Sequence, residues 1–480
     1  MPLKLRFACL QPALSKCCHA SAAQQAHTAA VGMSPGRPRK LMLQRTLSLT
    51  VLAASTALSV QLCSAQALYN PGASAIELSR LADSHSPELQ GAIEKAFPEK
   101  AVELGRVWIG ERHDFFFAVR VPSRPTLFID GVPGPEMQTV SGIDLWYAHA
   151  RVEKLGTLHS FYYQVDGKKF GGSLNMPAFG DLSYPMPGVK SGTLSAKQTV
   201  VSKIFPGMKF DYWVYVPAGY DPHAPAALML FQDGGLALSR DSGTRYLAVV
   251  DNLIVQKTMP YLICIFVNPG VTEGSTDVNA MRSMLYDTVS DQYPRFLRDE
   301  LLAEVSTHYA IRKDGYSHAI VGFSSGGNGS FNAAWQLPET FSRVISGIGS
   351  YTSLQWKQSP EVTEGGQDYP DNVLHEPHHN LRVLLSDGSD DLELAQNGSW
   401  PLGNVRMANA LKLQGYDFHF SFGKGGHGPE QVEAEFPDVM RWLWRDYDAS
   451  KSEQTFEMEP AEKANWVRRE HSWQAVLSGS

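Results

Sequence analysis

The stretch "AIVGFSSGGNGSFNAAW" (residues 319–335) sets two adjacent serines between glycines at the end of an apolar run. Gly322-Phe323-Ser324-Ser325-Gly326 satisfies G-x-S-x-G with Ser324 at its centre, whereas a frame centred on Ser325 would need glycine at Phe323 and fails. A strand that turns sharply into a helix holds the central serine on a strained backbone with its hydroxyl projecting above the sheet, and glycines two residues away relieve the crowding. Phosphate-binding readings fail on the residues, because no Lys-Ser/Thr pair closes the loop and Gly327-x-Gly329 has no third glycine at position 332.

A serine hydroxyl is a weak nucleophile until a base takes its proton. The candidate base is His427 in "FGKGGHGPE", where glycines on both sides allow a close-fitting loop. It follows Tyr416, Phe418, Phe420 and Phe422, which alternate with polar residues as in a half-buried strand. A carboxylate must then orient the imidazole. The stretch "LRVLLSDGSDDLE" offers Asp387, Asp390 and Asp391, with Glu393 just beyond, and spacing does not choose among them. Oxyanion donors are expected from the backbone N–H of Ser325, where a helix dipole favours negative charge, and from Gly234 or Gly235 in "LFQDGG". The chain order Ser324, Asp, His427 is that of the α/β-hydrolase arrangement.

These residues need a scaffold, and from residue 193 to 448 strand-like and helix-like runs alternate. "FDYWVYVP", "AALMLFQDGG", "YLICIFVNPG", "RVISGIGSY" and "YDFHFSFGKGGH" read as strands, while Leu297, Leu301, Val305 and Tyr309 recur every four residues as on a helix. The alternation predicts a doubly wound, mainly parallel sheet whose ligands bind beyond the carboxyl ends of the strands. Before it, residues 66–174 predict a smaller all-β, immunoglobulin-like sandwich built from runs such as "DFFFAVRVP" and "HSFYYQVDG". One helix, with Ser86 as N-cap and Pro87 at its first position, should precede the sandwich. Residues 175–192, rich in Pro and Gly, read as a linker, and residues 449–480 as a polar, loosely packed tail.

Residues 1–65 differ from the rest: they hold no Asp or Glu, seven Lys/Arg and four of the five cysteines. "RPRK" and Arg45, the apolar run "LSLTVLAASTALSV" and small residues near Ala65 are the parts of a secretory signal peptide. The run falls short of the roughly 20 apolar residues that span a bilayer, so no membrane anchor is expected after cleavage. A periplasmic or secreted protein follows. Without this leader 35 basic residues face 49 acidic ones, a net charge of −14, which excludes a nucleic-acid partner read through clustered positive charge. Cys264 is then left alone in "YLICIFV" and reads as a small buried hydrophobe.

Taken together, "DYWVYVPAGYDP", "LMLFQDGG", "GFSSGGNGSFNAAWQLPETFSRVISGIGSYTSL", "DGSDDLE", "GSWPLGNVRMANALKLQGYDFHFSFGKGGHG" and "MRWLWRDY" resemble the enterochelin-esterase-like (esterase D-like) serine esterases of the α/β-hydrolase superfamily. The resemblance spans roughly residues 190–448 and implies Ser324 as nucleophile, His427 as base and no cofactor or metal. Its pattern of glycine followed three residues later by the acid falls on Gly388 and Asp391, which selects Asp391 ahead of Asp387 and Asp390. Residues 107–171 resemble the sandwich that members carry before the catalytic domain, where it helps shape the substrate cleft. In "MRSMLYD" the resemblance implies an acidic residue at or near Leu285, which this chain lacks.

Other motifs point elsewhere. "HEPHH" (375–379) matches H-E-x-x-H, but Pro377 would break the helix that must carry both histidines on one face. The aromatic runs "FYY" and "LWY" could stack on sugars, although strand-core packing is the commoner use. The expected activity is hydrolysis of a small ester, a lactone or a sugar-linked acyl group, including one on a polysaccharide. An acyltransferase using the same triad, or a carbohydrate-binding protein with a vestigial site, are the rival readings.

Overall fold

The computed structural model describes residues 72–140, 144–239, 241–275, 277, 279, 281–354 and 365–464; the expected leader lies outside them. Where the sequence predicts one helix, three short ones form, Ala75–Asp83, Leu89–Ala96 and Glu99–Glu103. Ser86 Oγ accepts the N–H of Glu88 at 3.2 Å, but the chain is still turning at Pro87 and Glu88, so the second helix begins only at Leu89.

Eight strands follow: β1 (Val107–Glu111), β2 (Asp114–Arg120), β3 (Thr126–Ile129), β4 (Val132–Pro133), β5 (Gln138–Thr139), β6 (Leu145–Arg151), β7 (Thr157–Val165) and β8 (Lys168–Ala178). They make two four-stranded antiparallel sheets, in the orders β1-β2-β6-β5 and β4-β3-β7-β8. Phe115, Phe117 and Val119 of the first sheet share a core with Leu127, Phe161, Tyr163 and Met176 of the second. Phe116 and Ala118 point the other way, onto the three helices. Both faces of β2 are therefore covered, and "FFFAV" does not alternate because neither face meets water. Of the aromatic runs, Phe161, Tyr163 and Tyr147 are core residues, Trp146 donates its indole N–H to Val121 O, and Tyr162 stacks on Phe128 at 4.8 Å. The expected linker starts late, because β8 continues to Ala178 with Met176 and Ala178 fully buried.

The large sheet has nine strands: β9 (Thr193–Leu194), β10 (Gln198–Val201), β11 (Lys209–Val216), β12 (Ala227–Gln232), β13 (Leu262–Val267), β14 (His318–Phe323), β15 (Arg343–Gly347), β16 (Arg382–Gly388) and, after the small hairpin of β17 (Glu393–Leu394) and β18 (Gly398–Ser399), β19 (Asp417–Gly423). Their order is β10-β11-β13-β12-β14-β15-β16-β19, with β9 also on β11, and the six strands from β13 to β19 in that order run parallel. The mixed α/β architecture matches the predicted alternation. Two apolar layers cover the faces: Leu228, Leu230, Ile263 and Ile265 enter one, Met229, Phe231, Cys264 and Phe266 the other. The chain passes from β12 to β13 on one side and then returns to β14 on the other side of β12, so the crevice between the carboxyl ends of β12 and β14 is the topological switch point. Leu297, Leu301 and Val305 are buried as predicted, on a helical stretch whose middle, Leu297–Leu302, widens to a π turn.

Two sequence expectations fail here for one reason. β19 is not half-exposed: its polar residues are buried against partners, Asp417 with Arg382 and Arg445 at 2.7 and 2.5 Å, His419 with Glu462 at 2.6 Å, and Ser421 with Glu435 at 2.8 Å. The segment after residue 449 is not loose up to Ala464, because it supplies part of this cover. Phe456 lies over the guanidinium groups of Arg343 (4.9 Å) and Arg382 (4.7 Å), both buried, and its N–H donates to Asn380 Oδ1. A polar composition concealed a segment that seals cationic faces. Phe456→Ala should cost about 3 kcal/mol in chemical denaturation; a loss below about 0.5 kcal/mol would show that the segment is not part of the folded core.

Candidate active site

Ser324 follows β14 and immediately precedes the helix Ser325–Gln336. Its backbone stands at φ 59°, ψ −124°, a conformation that side chains rarely adopt. Gly322 explains why the turn closes: a Cβ there would lie 2.2 Å from Gly326 O. The turn is pinned across the sheet by Ser324 N–H donating to Gly347 O at 3.0 Å and Ser350 N–H donating to Ser324 O at 3.1 Å. Two more non-glycine residues with positive φ ring the same end of the sheet, Asp233 (53°) after β12 and Ile348 (43°) after β15. Such strain gathers where a scaffold fixes a functional geometry.

The loop after β19 brings His427 to this serine. His427 Nε2 lies 2.9 Å from Ser324 Oγ, and Nδ1 lies 2.6 Å from Asp391 Oδ1. Asp391 Oδ1 also accepts the N–H of Leu392 at 2.5 Å, and its side chain is fully buried. Of the three aspartates only Asp391 bonds the imidazole. Asp390 is exposed, its N–H on Gly425 O. Asp387 is buried, accepting from Asn404 Nδ2 at 2.8 Å and Gly388 N–H at 2.7 Å. Gly388 owes its place to the histidine loop, since a Cβ there would lie 2.0 Å from Gly425 O. A side chain there would push the acid turn off the histidine loop.

Several site residues carry no sequence signal. Trp400 packs edge-on to the His427 ring at 5.7 Å and donates its indole N–H to Ser350 Oγ, which lies 3.4 Å from Ser324 Oγ. Asn175, on β8 of the smaller pair of sheets, accepts the N–H of Gly426 at 2.8 Å and donates to Glu430 Oε2 at 3.0 Å. It thus holds the glycine-rich histidine loop from 251 residues away in sequence, a pairing that no local pattern announces.

On the opposite side, Asp233 and Gly234 lie beside the serine turn; a Cβ on Gly326 would come 3.0 Å from Asp233 Oδ2. The N–H of Gly235 is committed to Asn268 Oδ1 at 2.7 Å, which leaves Gly234 of the two expected donors. Arg282 joins the two halves: its guanidinium pairs with both oxygens of Asp233 (2.8 and 2.7 Å) and donates to Phe323 O at 3.1 Å. Leu285 is a core residue, and Asp287 follows two positions on. It is buried and bonded to the side chains of Ser283 and Ser325, and burial pushes its pKa up to about 7 against those bonds. The histidines of "HEPHH" fall on different elements: His375 ends the helix Tyr369–His375, His378 stacks on Tyr416 and His379 meets Trp335. Among the described residues no group of three His, Cys, Asp or Glu side chains could hold a metal ion.

Residues 205–443 match the family model described as "Putative esterase". Solved structures similar to the chain include the enterobactin esterase of Shigella flexneri (15% identity, 71% of this chain and 97% of that one, TM-score 0.47). They also include the ferric enterobactin esterase of Salmonella typhimurium, with the same four values. A ferulic acid esterase of the anaerobic fungus Anaeromyces mucronatus shares 17% identity over 56% of this chain and 96% of its own, with a TM-score of 0.44. No curated protein sequence matches the chain.

Asn175→Ala should raise the hydrogen-exchange rate of the Gly426 amide at least about tenfold, because its acceptor is removed; an unchanged rate would mean that Asn175 does not hold the loop. Asp287 binds its proton more tightly folded than unfolded, so its contribution to stability is full below the unfolded pKa of 3.8 and is lost as pH rises through about 7. Asp287→Asn should therefore gain stability relative to the wild type between about pH 4 and about pH 8, and parallel stability curves would contradict the assignment.

Proposed function

We propose that the chain, whose residues 205–443 match the "Putative esterase" family model, is a carboxylic ester hydrolase, an exported serine esterase working through an acyl-enzyme. The observation that carries this reading is the unbroken chain Ser324 Oγ, His427 Nε2, His427 Nδ1 and Asp391 Oδ1, with contacts of 2.9 and 2.6 Å.

In this reading His427 takes the Ser324 proton as Oγ attacks the ester carbonyl. The carbonyl oxygen becomes an oxyanion, received by the backbone N–H groups of Ser325 and Gly234. Collapse of the tetrahedral intermediate expels the alcohol, which collects the proton from the imidazolium. Water, deprotonated by His427, then attacks the acyl-Ser324 carbonyl and releases the acid. Asp391 holds the ring so that Nδ1 carries the proton and Nε2 faces the serine, and it stabilises the imidazolium that each half-reaction forms.

In this reading an α/β-hydrolase domain follows an immunoglobulin-like sandwich. The sandwich reaches the site through Asn175, which supports a substrate cleft shaped by both parts. Small esters, lactones and sugar-linked acyl groups fit this chemistry, and the basic, apolar and small-residue parts of the leader support a periplasmic or secreted location. Among the described residues no helix is long and apolar enough to cross a membrane.

Ser324→Ala should lower kcat on a panel of acetyl, feruloyl and lactone esters by about 10³-fold or more, and a fluorophosphonate should label the wild type at Ser324 alone. Retained turnover in the variant, or labelling at another residue, would end the serine mechanism.

A further inference from the structure

The triad carboxylate poses a problem of hydrogen bonding. Asp391 Oδ1 receives both His427 and Leu392, while Asp391 Oδ2 is buried and meets no N–H or O–H donor among the described residues. A buried carboxylate oxygen left in that state is costly. The Asp391 N–H donates to Gly388 O at 3.2 Å, which folds the acid turn back toward a second buried carboxyl, Asp387 at the end of β16, whose side chain interacts with that of Asp391. Two carboxyls in contact need a proton between them.

We propose that Asp387 works as a neutral carboxylic acid whose O–H donates to Asp391 Oδ2, making it a positioning residue for the triad acid. Its surroundings suit the neutral form. One oxygen accepts from Gly388 N–H and the other from Asn404 Nδ2, and an oxygen that accepts such a bond can still carry a proton. Asn404 Nδ2 is itself shared with Gly349 O and Trp400 O, so it brings no charge to Asp387. The titratable groups that face Asp387 are Asp391 on its own turn and, beyond Asp391, His427 on the loop after β19. The helix Trp400–Leu413 and the loop after β15 face it with Asn404, Trp400 and Gly349, all uncharged. Burial first, then the bond to Asp391 and its charge, hold the Asp387 carboxyl far above the ordinary carboxylate range.

The consequence for catalysis is specific. An ionised Asp387 would put a second negative charge behind Asp391 and strengthen its pull on the His427 proton. A neutral Asp387 fixes Asp391 through a hydrogen bond and adds no charge. The donor and the absence of charge can be separated by substitution.

This inference rests on the serine-esterase reading, and the experiment distinguishes the two. The pH profile of kcat/KM is measured for the wild type, Asp387→Asn and Asp387→Leu, alongside fluorophosphonate labelling of the wild type. Asp387→Asn, which keeps an N–H donor, should lower kcat/KM only severalfold and leave the acid-limb midpoint within about 0.3 pH unit of the wild type, since no charge is removed. Asp387→Leu should fall further, by about 10- to 100-fold, because Asp391 loses its donor. With Ser324 labelled, an acid limb moved down by about one unit or more in Asp387→Asn would show that Asp387 is ionised and overturn the inference alone. Absence of labelling at Ser324 would overturn the reading beneath it. Should Asp387→Asn not fold, infrared spectra of the wild type with ¹³C-labelled aspartate decide. At about pH 9, above the titration of Asp287, a protonated aspartate band that disappears in Asp387→Leu supports the inference, and no band, or one that persists in Asp387→Leu, refutes it.

Discussion

The site depends on one constraint: Ser324 must leave the end of β14 at a positive φ and still start a helix. Everything that meets the hydroxyl is arranged around that backbone. The neighbouring parallel strand fixes it through Gly347 and Ser350, and Gly322 gives it room. Arg282 then clamps Phe323, one residue before it, to the loop that carries Gly234. Because the strain is held by main-chain bonds of the sheet, the hydroxyl is placed before any substrate arrives, which is where preorganisation of this kind acts.

A second tier brings the acid and base to the serine. Asp391 and His427 sit on adjacent loops after β16 and β19, paired strands whose register carries Gly388 opposite Gly423. Backbone bonds from Ser389 to Gly423 and from Asp390 to Gly425 tie the loops together. The loop holding His427 contains four glycines between residues 423 and 428 and would be poorly fixed alone. Asn175 from the smaller pair of sheets and Trp400 from the helix after β18 supply the missing restraint. The N-terminal sheets therefore meet the histidine loop, Asn175 holding it by hydrogen bonds.

What the sequence disclosed and what it withheld divide along the range of the interactions involved. The serine frame is a local property of five residues, and continuous apolar runs such as "LICIFV" mark strands buried on both faces, so both could be read directly. The histidine stood out through its flanking glycines. The choice among Asp387, Asp390 and Asp391 depends on which carboxyl the histidine loop crosses, a contact between segments 36 residues apart, and only the family resemblance singled out Asp391. The polar alternation in β19 misled because Asp417, His419 and Ser421 are satisfied by buried partners rather than by water. Asn175 and Phe456 were invisible for the same reason, their partners lying far away in sequence.

The central claim is that Ser324 becomes covalently acylated during turnover. Rapid acid quench of the enzyme with an activated ester, followed by peptide mass spectrometry, tests it most directly. The account predicts an acyl group on the peptide containing Ser324, formed in a burst that matches the enzyme concentration; an acyl group on any other residue, or turnover with no adduct and no burst, would contradict it.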